Sequence, residues 1–196
     1  MPTLVGVLAL QGDVREHEQT LESIGVASLQ VRTPADLARV DGLILPGGES
    51  TTISKLARIF GLFEPLQEAI KSGLPTFGTC AGLILLADQI IDGTADQETF
   101  GGLDAVVRRN AFGGQTESFE TRLPFHGIEG PPVEAAFIRA PVIVSVGLRA
   151  TTLASLDDGR VVAIRQDNLL GISFHPEISG ETRVHQYFIR EFVESK

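Results

Sequence analysis

Apolar residues fall in unbroken runs through the first half of the chain and in short alternating stretches through the second. Leu4-Val5-Gly6-Val7-Leu8-Ala9-Leu10 is continuously apolar, the pattern of a strand covered on both faces within a parallel sheet. After Gln11-Gly12, residues 13–24 are mostly polar, with Val14, Leu21 and Ile24 at helical spacing. They predict an amphipathic helix stopped by Gly25. Residues 28–31 read as a second strand. Thr33-Pro34-Ala35-Asp36 then supplies an N-cap, a proline at N1 and a first-turn acid for a short helix ending near Val40. Gly42-Leu43-Ile44-Leu45 is a third buried strand, closed by Pro46-Gly47-Gly48-Glu49-Ser50-Thr51-Thr52. Helices are expected over 52–60 and 63–71, then a strand through Pro75-Thr76-Phe77 and a helix-like run, Leu83-Ile84-Leu85-Leu86-Ala87.

Beyond this point helices become scarce. Short strands are expected over 106–108, 117–123, 135–138, 142–146, 152–156, 161–165 and 170–174, with hairpin turns at Asp157-Asp158-Gly159-Arg160 and Asp167-Asn168. An amphipathic helix from about Glu181 carries Val184, Phe188 and Phe192 at i, i+4, i+8. Alternating strands and helices followed by a run of strands predict an α/β fold, with a mostly parallel core and an antiparallel extension. One domain over 1–196 is expected from the length of 196 residues and a hydrophobic content of 43%.

Charge and cysteine content narrow the partners. The net charge of −9 comes without any Lys/Arg-rich block, which argues against nucleic acid. No apolar run approaches the length of a membrane span, so no membrane contact is expected. A single cysteine cannot form an internal disulfide and nothing resembling a leader precedes Leu4; the cytoplasm is the expected compartment.

That cysteine is the first candidate for chemistry. A lone cysteine is more often a small buried hydrophobe than a nucleophile. Cys80, however, sits in Gly78-Thr79-Cys80-Ala81-Gly82, between a strand and a helix. Glycines on both sides permit the sharp bend that pushes a nucleophile out at a helix N-terminus. A thiol needs a base, and the base needs an orienting group. Phe174-His175-Pro176-Glu177 ends a strand, and Pro176 favours extended geometry at His175, which would turn His175 and Glu177 to one side. The other three of the four histidines lack this arrangement: His17 is on a polar helix, His126 in a Gly/Pro-rich loop and His185 on the last helix, all read as surface or structural. Cys80, His175 and Glu177 also make a poor zinc pattern, lacking closely spaced ligand pairs. The Gly47-Gly48 turn suits oxyanion binding by backbone N–H groups, with a plain strand-to-helix turn as its bland reading. A phosphate loop is disfavoured because no Gly-Lys-Ser/Thr follows.

These motifs resemble the class I (triad) glutamine amidotransferases, and within them the glutaminase subunits of pyridoxal 5′-phosphate synthase. The second likeness rests on Gly6-Val7-Leu8-Ala9-Leu10-Gln11-Gly12 with Val14-Arg15-Glu16-His17, Leu45-Pro46-Gly47-Gly48-Glu49-Ser50-Thr51-Thr52, Arg109-Asn110-Ala111-Phe112-Gly113, Ser118-Phe119-Glu120 and Phe137-Ile138-Arg139-Ala140-Pro141, in order through the chain. The resemblance implies a three-layer, flavodoxin-like open sheet. It implies hydrolysis of L-glutamine through a thioester on Cys80, with His175 as acid and base and Glu177 as its orienter. Gly47, Gly48 and Ala81 would serve the oxyanion, and Gly48, Glu49, Ser50, Arg109, Ile138 and Arg139 the substrate. Gln11 and Gly12 would form a partner-sensitive loop, and the ammonia would go to a ring-forming barrel synthase. No cofactor or metal is implied. Gly114 stands where members commonly carry arginine. Rival readings are the glutaminase of another triad amidotransferase, such as imidazole glycerol phosphate synthase, whose members more often place Leu-Gly after the cysteine, and a non-catalytic partner-binding module. Cysteine-dependent α/β-hydrolases are disfavoured because Glu177 follows His175.

Overall fold

The computed structural model describes residues 2–109 and 118–195; Gly114 and the Asn110-Ala111-Phe112-Gly113 part of the motif lie outside them. Elements follow in the order β1 (Leu4–Leu8), α1 (Val14–Ser23), β2 (Ala27–Val31), α2 (Pro34–Leu37), β3 (Gly42–Leu45), α3 (Ser50–Ile59), α4 (Phe63–Lys71), β4 (Thr76–Thr79), α5 (Ala81–Leu86) and β5 (Ala87–Ile91). Then come β6 (Leu103–Arg108), β7 (Phe119–Leu123), β8 (Val133–Phe137), β9 (Val142–Val146), β10 (Thr151–Ser155), β11 (Val161–Gln166), β12 (Leu169–Ile172), α6 (Pro176–Ser179) and α7 (Arg183–Phe188), the last running into a π-helical turn, Ile189–Val193.

Among the described residues one ten-stranded sheet runs β2-β1-β3-β4-β12-β11-β9-β6-β5, with β10 alongside β11. Its first five strands are parallel. Their order is the doubly wound one, with β12 in the fifth place. From β12 the sheet turns antiparallel through β11, β9 and β6. This is the parallel core with antiparallel extension expected from the pattern.

The unbroken apolar runs are explained by two cores, one on each face. Along β3, Ile44 packs into one core with Val5 and Val7, whereas Leu43 and Leu45 pack into the other. The first core is closed by Leu21 of α1 and by Val184, Tyr187 and Phe188 of α7; the small β7-β8 sheet adds Leu123, Val133 and Phe137. Leu37 of α2, Ile53 of α3, Phe63 and Leu66 of α4 and Leu83 of α5 close the second. Three layers result.

Local chemistry sets the helix starts. Thr33 and Asp36 form a reciprocal capping box on α2, Asp36 N–H donating to Thr33 Oγ1 at 3.2 Å and Thr33 N–H to Asp36 Oδ2 at 3.0 Å. Helix α3 begins at Ser50, two residues before the expected start, because the Glu49 carboxylate caps it by accepting from the Thr51 and Thr52 amides. The run 83–87 is helical only to Leu86. Ala87–Ile91 is a strand that the sequence pattern did not predict, an edge strand paired in parallel with β6. Its long-range partner, rather than its half-buried pattern, makes it a strand.

β3, β4 and β12 are parallel neighbours, so the segments that follow them emerge on one edge of the sheet. These are the Pro46-Gly47-Gly48 turn, Cys80, and the stretch ending at His175 and Glu177. That edge is where open α/β sheets collect ligands.

Candidate active site

Cys80 joins β4 to α5 with φ 50° and ψ −103°, a conformation that side chains seldom adopt and that costs about 1–3 kcal/mol. Both flanking glycines are required by close approach. A Cβ on Gly78 would lie 2.5 Å from the Gly82 carbonyl, and one on Gly82 would overlap the Leu45 carbonyl oxygen. Packing of the α5 N-terminus onto β3 and β4 thus fixes the bend. The Cys80 amide donates to Ile172 O at 2.9 Å, tying the bend to β12, and Sγ lies 3.9 Å from Ile138 O.

His175 and Glu177 are brought together by a different route from the expected one. The strand stops at Ile172; His175 is the N-cap of α6, Pro176 is its first residue and Glu177 lies in its first turn. A helical turn, not an extended chain, sets His175 Nδ1 2.7 Å from Glu177 Oε1, because Pro176 at N1 initiates a helix. The His175 amide donates to Ala136 O at 2.8 Å, anchoring the segment on β8. Asp13, which the sequence did not single out, places Oδ2 3.3 Å from the same Nδ1.

Burial opposes a charge on His175, but hydrogen bonds with Asp13, Cys80 and Glu177 and the field of the Cys80 sulfur outweigh it, pushing its pKa up to about 12. Burial also raises Glu177, and the facing His175 pulls it back. These tendencies conflict across one contact. Nδ1 at 2.7 Å from Glu177, with a second carboxylate behind it, favours the imidazolium–carboxylate form. Asp13, His175 and Glu177 form the one metal-capable cluster among the described residues, their ligand atoms within 4.8 Å of one another. A metal on Nδ1 would have to displace the proton that this nitrogen shares with Glu177.

The cleft over Cys80, about 490 Å³, is lined by Gly48, Glu49, Ser50, Ala81, Arg109, Ile138, Arg139 and His175. Every substrate-side and oxyanion-side residue expected from the sequence lies there except Gly47, which abuts the imidazole; a Cβ on it would overlap His175 Cε1. Glu49 and Arg109 do not wait singly for opposite ends of a ligand. Arg109 Nη2 meets Glu49 Oε1 at 2.8 Å. Burial works against charge on Glu49, but hydrogen bonds from Thr52 and Thr51 and the Arg109 charge hold its carboxyl below the usual range. Gln97, missed because it stands in a polar loop with no periodicity, accepts on Oε1 from Arg109 Nη1 at 2.8 Å, from Thr51 Oγ1 at 2.8 Å and from Ser50 Oγ at 3.2 Å. Arg139 follows β8 with φ 47°. Gln11 crosses the Gly47-Gly48 turn, its Oε1 accepting from the Glu49 amide at 2.8 Å, and a Cβ on Gly12 would overlap Gly47 O. A larger cavity, about 590 Å³, opens where β12 begins, and neither cysteine nor histidine lines it.

His17 and His185 are fully buried against each other behind Glu177, whereas His126 is exposed. The polar sequence around His17 concealed this, since one buried histidine on an otherwise solvated face leaves no periodic signal.

This geometry can be set against known proteins. Residues 7–194 match the model of the SNO glutamine amidotransferase family. The chain is 61% identical over 186 residues to a protein of Clavibacter sepedonicus named pyridoxal 5′-phosphate synthase subunit PdxT, covering 95% of this chain and 89% of that one. It is 60% identical to the protein of that name from Leifsonia xyli subsp. xyli, covering 94% and 93%. A crystal structure described as a glutamine amidotransferase superimposes with a TM-score of 0.88 at 46% identity, covering 95% of this chain and 97% of that one. With a cysteine elbow, a paired histidine and glutamate beside it, and a family match over almost its whole length, the chain belongs to the SNO glutamine amidotransferase family.

Proposed function

We propose that this chain is the glutaminase subunit of a pyridoxal 5′-phosphate synthase, acting in the cytoplasm, hydrolysing L-glutamine to L-glutamate and ammonia and passing the ammonia to a ring-forming barrel synthase. The observation that carries this reading is Cys80, held in a strained bend beside an imidazole whose Nδ1 is 2.7 Å from Glu177. Kinship with proteins named as subunits of that synthase supports the choice of partner.

The steps follow from the groups present. The proton that His175 holds in its imidazolium form is the one the thiol gives up, and the Cys80 sulfur attacks the side-chain amide carbon of glutamine, forming a C–S bond and an oxyanion. Collapse of the tetrahedral species breaks the C–N bond, and His175 returns the proton to the departing nitrogen, releasing ammonia. Water, deprotonated by His175, then attacks the γ-glutamyl thioester; the C–S bond breaks, glutamate leaves and the thiol regains its proton. Glu177 holds the imidazole tautomer and balances its charge. Backbone N–H groups of Gly47, Gly48 and Ala81 are the candidate oxyanion donors. Glu49, Ser50, Arg109, Ile138 and Arg139 form the wall for the amino-acid end of the substrate. Glu49 already accepts four hydrogen bonds, from the Thr51 and Thr52 amides, Thr52 Oγ1 and Arg109 Nη2, which fill the about four acceptor positions of a carboxylate, so a substrate ammonium would have to displace or share one of them. Gln11 and Gly12 touch the turn that would supply oxyanion donors, which makes them the route by which a docked partner would act.

The test is glutamate release with and without the cognate synthase. Release should rise strongly on adding the synthase and vanish in Cys80→Ala. Undiminished turnover in Cys80→Ala would overturn the mechanism. Stimulation by the cyclase of imidazole glycerol phosphate synthase alone would reassign the pathway, and binding without turnover would make the chain a partner-binding module.

A further inference from the structure

Two buried histidines take no part in these steps. His17 on α1 and His185 on α7 are fully buried, and His17 Nδ1 lies 2.9 Å from His185 Nε2. Phe77 packs edge-on against both rings. The other nitrogen of His17, Nε2, is 3.2 Å from Thr79 Oγ1 and 3.6 Å from Glu177 Oε1. The second distance is too long for a hydrogen bond, but a charge that close in a dry interior decides which way a dipole points.

Where the protons sit follows from both ends of this chain of groups. Burial first, then the repulsion that a charge there would meet from a protonated His185 or His175, holds His17 well below the ordinary histidine range, and burial brings His185 down to about 3. Both rings are therefore neutral, each with one donor and one acceptor nitrogen. At the acid end, a lone pair on His17 Nε2 would face the Glu177 carboxylate, whereas an N–H there is attracted. His17 Nδ1 is then an acceptor, His185 Nε2 must donate to it, and His185 Nδ1 keeps a lone pair. At the far end, His185 Nδ1 is buried with no hydrogen-bond partner among the described residues, and a bare acceptor costs less there than an orphaned N–H. Both ends demand the same tautomers.

Glu177 depends on what faces it. Among the described residues its Oε2 is buried without a hydrogen-bond partner on another residue, and the side chains that meet the acid do so at Oε1, His175 on one side and His17 on the other. We propose that His17, oriented by His185, is a positioning residue: its Nε2–H dipole keeps the Glu177 carboxylate ionised and aimed at His175, while its contact with Thr79 ties that acid to the strand end bearing Cys80. The groups facing this cluster are His175 and Glu177 from α6 and its cap, Asp13 and His17 from α1 and its cap, His185 from α7, and Cys80 at the head of α5. The inference rests on the triad reading above.

The tautomers are tested first, in the unaltered full chain, by imidazole nitrogen chemical shifts between pH 6 and 8. Unprotonated Nδ1 on both rings is expected; a protonated Nδ1 on either overturns the proposal. His17→Leu and His17→Gln are then assayed with the synthase. Gln can place an amide N–H where Nε2–H stood. The Leu variant should lose about ten- to a hundredfold in kcat, the usual effect of removing an outer partner from an oriented group, with KM within about twofold. The acid limb of its kcat/KM profile should move to higher pH by roughly half a unit or more, since an unsupported Glu177 protonates sooner. The Gln variant should stay within about threefold of the parent and keep its limb. If the Leu variant does not fold, His17→Asn, polar only on the Nδ1 side, replaces it. Lost stability with unchanged kcat and limb, or equal impairment of the Gln and the Leu or Asn variants, overturns the proposal. Full turnover in Cys80→Ala would remove the triad instead, a separate failure that leaves the ring tautomers untouched.

Discussion

Gly47 and the imidazole of His175 share space that a methyl group would fill: a Cβ there overlaps Cε1 and stands 2.8 Å from Asp13 Oδ2. Gly47→Ala should therefore displace the base by the order of 1 Å and lower kcat about a hundredfold, with the circular dichroism spectrum unchanged. A variant retaining more than about a third of parental kcat would show that the ring has room to move. At this scale the sequence was most informative about Cys80, His175 and Glu177. Cysteine between glycines and His-Pro-Glu after a strand are local patterns whose chemistry follows from adjacency. Asp13, His17, His185 and Gln97 were opaque for the complementary reason. Each acts on a residue distant in the chain, as His17 does on His185 across 168 positions, and its neighbours in sequence give no hint of the contact.

The elements carry a different constraint, seen in α5. This helix has only six residues, too few for stability by propensity, and is held by burial of Leu83, Leu85 and Leu86 and by the contact of Gly82 with Leu45 O. Gly82→Ala would force α5 away from β3. A loss of about 1–3 kcal/mol in urea unfolding is expected, together with reduced turnover because the shift carries Ala81 and Cys80 with it. A variant as stable and active as the parent would mean that the layers adjust without cost. Helices with their own signals, such as α2 with its Thr33–Asp36 box, were legible in outline. The strand Ala87–Ile91 was not, because pairing with β6 decides its conformation.

For the whole molecule, pH stability follows from groups that titrate differently once folded. His17 and His185 have lowered values, so their contribution is complete above the unfolded value near 6.5 and declines as pH falls through the folded values, about 3 for His185. His175 has the opposite sign. It stabilises below about 6.5 and loses that contribution only as pH rises through about 12. Glu177, raised by burial, partly offsets the two histidines between its folded value and 4.5. Urea stability should thus begin to fall below pH 6.5, well before ordinary carboxylates titrate, by up to about 1.4 kcal/mol per pH unit for each ring. Titrating urea midpoints from pH 7 to 5 checks this, and a flat profile would contradict two neutral buried imidazoles. The sequence alone determined the layer architecture and singled out the residues proposed as nucleophile and base, because apolar runs, glycine-bracketed turns and adjacent reactive residues act over a few positions. Only the tertiary structure decided that Glu49 and Arg109 pair with each other, that a helical turn joins His175 to Glu177, and that two histidines back the acid. These depend on which segments the folded sheet brings together, and burial then sets the protonation of the groups enclosed there.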